Sequence, residues 1–243
     1  MGIGGMAAWM QEFDEKVVFI TGASGNLGKT VAEAFYDAGA FLALCDCHAG
    51  SLAGFFDDPA RILVLESDLT SPVSTADAVE RITAMFGRID VHAAIAGGFV
   101  MGRQMHETGH EAWEFMMRLN AGTMFNSCHA VVPLMRQQGR GKIVTVGARA
   151  ALSGKSGMGA YTASKAAVIR LTESLSEENK RHGINVNCVL PSIIDTPRNR
   201  EDMPDADFST WVSPAALSDV IMFLASDASR AINGASIPVY GLC

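Results

Sequence analysis

Strand-length apolar runs alternate with helical patterns along almost the whole chain, and this alternation narrows the possible folds more than any single motif. The runs are Val17–Ile20, Phe41–Leu44, Ile62–Leu65, Val91–Ile95, Lys142–Val146, Ile184–Val189 and Ser236–Val239. Helical patterns lie between them at Leu27–Gly39, Ser74–Phe86, Trp113–Arg136, from Tyr161 to His182, and at Ala215–Ala225. Most runs are apolar at nearly every residue, as strands covered on both faces are. Strand, helix and strand repeated with short glycine-marked links make βαβ units and a parallel sheet. An α/β fold is expected, a single doubly wound domain whose parallel sheet has about seven strands with helices on both faces.

A chain of 243 residues that is 49% hydrophobic has enough apolar material for one large core. The domain is expected over residues 14–243. Residues 1–13, rich in glycine and methionine, read as a loose N-terminal extension without the basic start or cleavage site of a secretory signal. Gly, Asp or Arg breaks every apolar stretch within about 10 residues, short of the ~20 that a membrane span needs. A soluble, cytoplasmic protein with no membrane partner is therefore expected. The net charge of −7, with no basic run, argues against a nucleic-acid partner. The five cysteines, Cys45, Cys47, Cys128, Cys188 and Cys243, show no CxxC spacing, so no metal site is expected. They read as small buried apolar residues of a reducing compartment.

The first strand runs into Thr21-Gly22-Ala23-Ser24-Gly25-Asn26-Leu27-Gly28. Gly22 permits a tight turn and Gly28 close packing of the next helix, whose first N–H groups and positive dipole end attract a pyrophosphate. Gly22, Ser24, Gly25, Asn26, Leu27 and Gly28 are thus candidate cofactor-binding residues. Asn26 tolerates a left-handed backbone, and Gly25 lies beside it. Asp46 closes the second strand, where a carboxylate accepts hydrogen bonds from ribose hydroxyls and repels a 2′-phosphate. NAD(H) is therefore favoured, with NADP(H) possible. The alternative for Asp46 is a solvated carboxylate at a strand end.

Tyr161 and Lys165 are four residues apart in Tyr161-Thr162-Ala163-Ser164-Lys165, so on a helix they share one face. An ammonium beside a phenol favours the ionised phenol, making an ordinary pKa of about 10 usable for acid–base work near neutrality. Their alternatives are a half-buried packing residue and a solvated lysine.

The glycine turn and the YxxxK pair together resemble the short-chain dehydrogenase/reductase family, and the resemblance covers nearly the whole chain. It implies a Rossmann-type domain, a nicotinamide cofactor, a small-molecule substrate and a homotetramer or homodimer joined through the Asn120 and Tyr161 helices and the last strand. It gives Tyr161 the proton transfer and Lys165 both the nicotinamide ribose and the tuning of the phenol. Asn120, in Leu119-Asn120-Ala121-Gly122, orders the helix and water behind them. It sets Asp68 and Leu69 beside the adenine. Pro191, Ile194 and Thr196, in the stretch Pro191–Thr196, lie at the nicotinamide carboxamide. Ala94-Ile95-Ala96-Gly97 replaces the family's NNAG, so both asparagines are lost, while Gly97 and Gly98 still let the backbone run close to a ribose; Ala96 and Gly97 are the candidate cofactor-binding residues there.

The family's serine falls at Ala148, which has no hydrogen bond to give a substrate carbonyl. Losing such a donor costs about 10²–10³ in rate. Ser153, Ser156 and Arg149 are candidates to replace it. The loops around Ala148 and from Asp195 to Trp211 also resemble the dihydropteridine reductase subfamily, whose electron-poor substrate demands less polarisation than a ketone. Three readings stand: a pteridine-type reductase as the sharpest form, an alcohol or 3-oxoacyl dehydrogenase tolerating Ala148, and a dinucleotide sensor with weakened turnover. The stretch from Asp195 to Val212, with two prolines and five acidic residues, reads as a mobile cover over the site or as a solvated excursion.

Overall fold

The structure, a computed structural model, describes residues 12–52, 54 and 57–243. The apolar runs become seven strands: β1 (Val17–Thr21), β2 (Phe41–Asp46), β3 (Ile62–Glu66), β4 (Val91–Ala94), β5 (Gly141–Val146), β6 (Ile184–Pro191) and β7 (Ser236–Val239). They form one sheet in the order β3-β2-β1-β4-β5-β6-β7. Every neighbouring pair is parallel, with Val17 opposite Phe41 and Val18 opposite Val91 on the two sides of β1. The helices are α1 (Asn26–Asp37), α2 (Pro72–Phe86), α3 (His110–Met116), α4 (Thr123–Gln138), α5 (Gly159–Asn179), α6 (Pro197–Asp202) and α7 (Pro214–Ala225).

Strand side chains alternate between faces, so the central strands feed two cores. Val18, Ile20, Leu42 and Leu44 pack with Val31 and Phe35 of α1 and Leu217 and Ile221 of α7. Phe19, Ala43 and Leu65 pack on the opposite face with Ile82 of α2, Val131 of α4 and Val168 of α5. Each large apolar side chain buried in this way stabilises the fold by about 1.5–3 kcal/mol. Helix starts are fixed locally: Ser71 and Ser213 accept from the N–H groups of Ser74 and Ala216, and prolines occupy the first turns of α2 and α7.

Four departures from the sequence reading have physical reasons. Residues 1–11 of the expected extension lie outside the described residues, but Phe13 is a core residue, 1% exposed and edge-on to Phe35 at 4.9 Å between ring centres. The expected helix at Trp113–Arg136 begins earlier and is interrupted by a π-helical turn at Met117–Gly122. The stretch 195–212 contains regular structure, α6 and a short 3₁₀ turn, and Asp195 and Val212 are tied at its base by Asp195 N–H to Val212 O at 2.8 Å. Cys45, Cys128 and Cys188 are buried as expected, whereas Cys47 and Cys243 are exposed. Among the described residues no helix is long and apolar enough to cross a membrane.

Candidate active site

The turn after β1, the ends of β4, β5 and β6, and the start of α5 meet at the carboxyl edge of the sheet, where open α/β folds bind ligands. Gly22 adopts φ +67, and a Cβ there would stand 2.9 Å from the Ala96 backbone. At Gly28 a Cβ would stand 2.1 Å from Gly22 O, so α1 packs against the turn only because that residue is glycine. Gly25 caps α1 in an extended conformation with no side-chain cap. The first N–H groups of α1 therefore face the edge without a side-chain acceptor, the arrangement that attracts a phosphate. Asn26 begins α1, and Glu15 is the one non-glycine residue among those described with positive φ. The left-handed tolerance expected at Asn26 is thus not used. Leu27 turns into the core.

Asp46 ends β2 beside this turn. Its Oδ2 accepts from Ser24 N–H at 3.1 Å, and its Oδ1 accepts from His48 N–H at 3.3 Å and the Cys47 thiol at 3.6 Å. Burial pushes the carboxyl up, but the hydrogen bonds from Ser24, His48 and Cys47 outweigh it and hold Asp46 below the usual carboxylate range. A half-buried carboxylate kept ionised next to a phosphate-attracting turn is what a ribose diol requires. Asp68 is exposed and accepts from Thr70 N–H at 2.9 Å, which lowers its pKa. Leu69 points into the core, and its carbonyl accepts from Asn126 at 2.9 Å.

The lost asparagines after β4 have a substitute that the sequence reading missed. Thr21 Oγ1 accepts from Ile95 N–H at 3.1 Å and Ala96 N–H at 3.2 Å, closing the end of the sheet from the neighbouring strand. Gly97 then passes so near Asn120 and Lys165 that a Cβ would stand 2.6 Å from Asn120 Oδ1 and 3.1 Å from Lys165 Nζ. Asn120, 1% exposed within the π turn, accepts from Gly98 N–H at 2.9 Å and donates to Gly98 O at 3.1 Å and Ser164 Oγ at 3.0 Å. Such turns interrupt helices frequently at functional sites.

Tyr161 and Lys165 occupy the first turns of α5. Lys165 is 5% exposed and donates to Val146 O at 2.7 Å. Burial brings its pKa down to about 8. Tyr161 lies edge-on to Phe99 at 4.8 Å, and burial pushes its phenol up to about 12. The expected lowering of Tyr161 by Lys165 is therefore not what the structure has: the ammonium is spent on the end of β5, and desolvation dominates the phenol.

Pro191 ends β6, Ile194 pairs with Val212 and its carbonyl accepts from Asn199 at 2.8 Å, and Thr196 Oγ1 caps α6 through Asn199 N–H at 3.2 Å. Ala148 is 4% exposed, two residues after the end of β5. Ser153 and Ser156 are exposed, and the Arg149 guanidinium lies 4.8 Å from the centre of the Tyr240 ring. None of the three has a partner among the candidate catalytic residues in the bonds described. The site therefore brings together Tyr161, Lys165, Asn120 and Gly97, with no side-chain donor at position 148.

Residues 16–207 match the family described as short chain dehydrogenase. The chain is 31% identical to 2-(R)-hydroxypropyl-CoM dehydrogenase of Xanthobacter autotrophicus, over 93% of this chain and 97% of that one. It is 30% identical to the 3-oxoacyl-[acyl-carrier-protein] reductase FabG of Thermotoga maritima, over 93% and 96% respectively. The crystal structure of carveol dehydrogenase from Mycobacterium avium in complex with NAD superposes with a TM-score of 0.85 at 26% identity, covering 95% of this chain and 98% of that one.

Proposed function

The chain belongs to the short-chain dehydrogenase/reductase family and is an oxidoreductase of that type, and from this premise we propose that it interconverts a small secondary alcohol and its ketone, or a 3-oxoacyl compound, with NAD(H). The observation that carries the reading is the convergence of Lys165 and Asn120 on Gly97 and Gly98 after β4, with Tyr161 edge-on to Phe99 in the same loop. The relatives with alcohol and oxoacyl substrates in their names favour this chemistry over a pteridine reduction. A homodimer or homotetramer through the faces of α4 and α5 accompanies the proposal; light scattering tests it.

The bound dinucleotide supplies or accepts the hydride. The turn Gly22–Gly28 and the start of α1 would hold its pyrophosphate, Asp46 would accept from the adenosine ribose, and Asp68 and Leu69 would serve the adenine. Ala96, Gly97, Pro191, Ile194 and Thr196 would serve the nicotinamide half. In reduction, Tyr161 Oη gives its proton to the oxygen that becomes the alcohol. Lys165, charged below about pH 8, supplies positive charge to that oxygen's surroundings and to a ribose hydroxyl. Asn120 keeps Gly97 and Gly98 against both. A phenol pushed up to about 12 is in its acid form at neutral pH, which suits the reductive direction.

Assaying NADH and NADPH oxidation with simple ketones, a 3-oxoacyl thioester and a quinonoid dihydropterin tests the reading. Ketone or oxoacyl reduction with NADH preferred is expected, and Asp46→Ala narrows the preference. NADH binding without turnover of any substrate would leave only the sensor reading. A second reading, reduction of an activated imine such as a quinonoid dihydropterin, rests on the missing donor at Ala148. Faster turnover of the pterin than of every ketone would establish it instead.

A further inference from the structure

Under the segment 99–109, between it and the N-terminal end of α5, lies a pocket of about 370 Å³. Its walls are Val100, Ala112, Met116, Met158 and Ala160, and its rim carries Arg103, Glu107 and Glu111. The pocket adjoins the chemistry on two sides. Ala160 immediately precedes Tyr161, and Met116 Sδ lies 3.9 Å from Asn120 Nδ2. Phe99, next to the wall residue Val100, stands edge-on to the Tyr161 ring.

The segment is fastened to the catalytic helix. Gly102 N–H donates to Gly157 O at 3.0 Å, and Gly157 is left-handed with φ +71, where a Cβ would stand 3.0 Å from Gly102 O. Met105 Sδ seals the next position, 3.1 Å from where a Cβ on Gly159 would be. A side chain at Gly157 would crowd the Gly102 backbone, whereas one at Gly159 would meet only the end of the Met105 side chain. The Gly102–Gly157 bond thus ties one wall of the pocket to the loop that leads into α5.

We infer that this pocket is the subsite for an uncharged aliphatic extension of the substrate, attached to the carbon that reacts at Tyr161. The inference rests on the proposed carbonyl–alcohol chemistry. The walls offer methyl, methylene and thioether groups, and Met adapts to flexible aliphatic occupants. Two carboxylates against one guanidinium at the rim leave a negative balance that opposes an anionic tail. The substrate class that follows is the medium-length 2-alkanone or its secondary alcohol, in preference to a short ketone or an oxo acid ending in carboxylate.

The test is the series 2-butanone, 2-hexanone and 2-octanone with NADH, beside an oxo acid of matched length, in the unaltered protein, Ala112→Phe and Met158→Ala. Expected is a rise in kcat/KM of about fourfold per added methylene, carried mainly by KM, with the oxo acid poorer than its ketone. Ala112→Phe fills the pocket and flattens the series through KM, while Met158→Ala enlarges it and shifts the preference to longer chains. NADH affinity, read by fluorescence, stays unchanged in both and reports that they fold. Calorimetric binding of octanamide, which is not reducible, to the protein–NADH complex supplies a second readout and should weaken about tenfold or more in Ala112→Phe. Ketone reduction whose chain-length dependence is absent, or survives Ala112→Phe, overturns the subsite and leaves the proposed function standing. Octanamide binding sensitive to Ala112→Phe, with no ketone reduced by the unaltered protein, supports the subsite and overturns the proposed function.

Discussion

Asn120 clasps Gly98 through both ends of its side-chain amide, the oxygen accepting from the glycine N–H at 2.9 Å and the nitrogen donating to its carbonyl at 3.1 Å. One buried side chain thereby joins the π turn between α3 and α4 to the loop after β4, and through Ser164 to the helix that carries Tyr161 and Lys165.

Asn120→Ala removes these partners and leaves part-buried backbone groups unpaired, which costs about 1–3 kcal/mol. Urea unfolding should show that loss, and NADH affinity should fall as Gly97 loses its support. Unfolding and NADH titration curves that overlay those of the unaltered protein would mean the clasp is not what positions the loop.

Tyr161→Phe should lower turnover by at least about 10²-fold while NADH still binds, because in the proposed mechanism the phenol acts on the substrate alone. Lys165→Met should damage both binding and turnover. In the unaltered protein kcat/KM for reduction is expected to stay level up to about pH 8 and decline above it as Lys165 loses its charge, since burial lowers that pKa to about 8. A decline beginning well below pH 7 would assign the titration to another group.

Ala148→Ser installs a donor where the site has none. Ketone reduction should speed up by as much as about 10²–10³, because the hydroxyl stabilises the oxyanion developing on the carbonyl. An activated imine should gain less. Equal gains for both substrates would show that the hydroxyl acts through something other than the carbonyl oxygen.

His92 is fully buried between Phe19 O at 3.3 Å and Ser127 Oγ at 3.0 Å, and burial brings its pKa from 6.5 down to about 4. The unfolded chain binds a proton between those values that the folded chain refuses. Its contribution is therefore full above about pH 6.5 and is lost as pH falls towards 4, a total of about 3 kcal/mol. His92→Gln should flatten the fall in stability across that window, measured by urea unfolding at several pH values. An unchanged slope would place the acid sensitivity elsewhere.

The strands were legible because most are apolar at nearly every residue, and the turn at Gly22–Gly28 because its glycine spacing follows directly on the first of them, although the contact that forces Gly22 comes from the distant Ala96 backbone. Tyr161 and Lys165 were legible as neighbours on one helix face. What they touch was not. The bond from Lys165 to Val146, the clasp of Asn120 on Gly98 and the replacement of two asparagines by Thr21 all join residues far apart in the chain. No local pattern encodes such pairings. Phe13 belongs to the same class: an aromatic at the end of a glycine-rich stretch acquires meaning only when Phe35 arrives from α1. The order within 195–212 was hidden by its prolines and acids, which read as solvated but serve here as helix start and ion-pair partners, as in Asp195 with Arg200 at 2.6 Å.

The position of β1 between β2 and β4 also bears on how the chain is made. Its partner β2 exists once residue 46 has been synthesised, but its other edge waits for residues 91–94. At about 5–20 residues per second, a ribosome takes roughly 4–15 s to travel from residue 17 to residue 91. Throughout that interval the most apolar strand of the nascent chain presents an open row of backbone donors and acceptors, the kind of edge that templates pairing with another chain. Biosynthesis therefore exposes this protein to aggregation most while its first half is waiting for β4, and slowing translation between residues 46 and 91 should lower the yield of folded protein more than slowing it later.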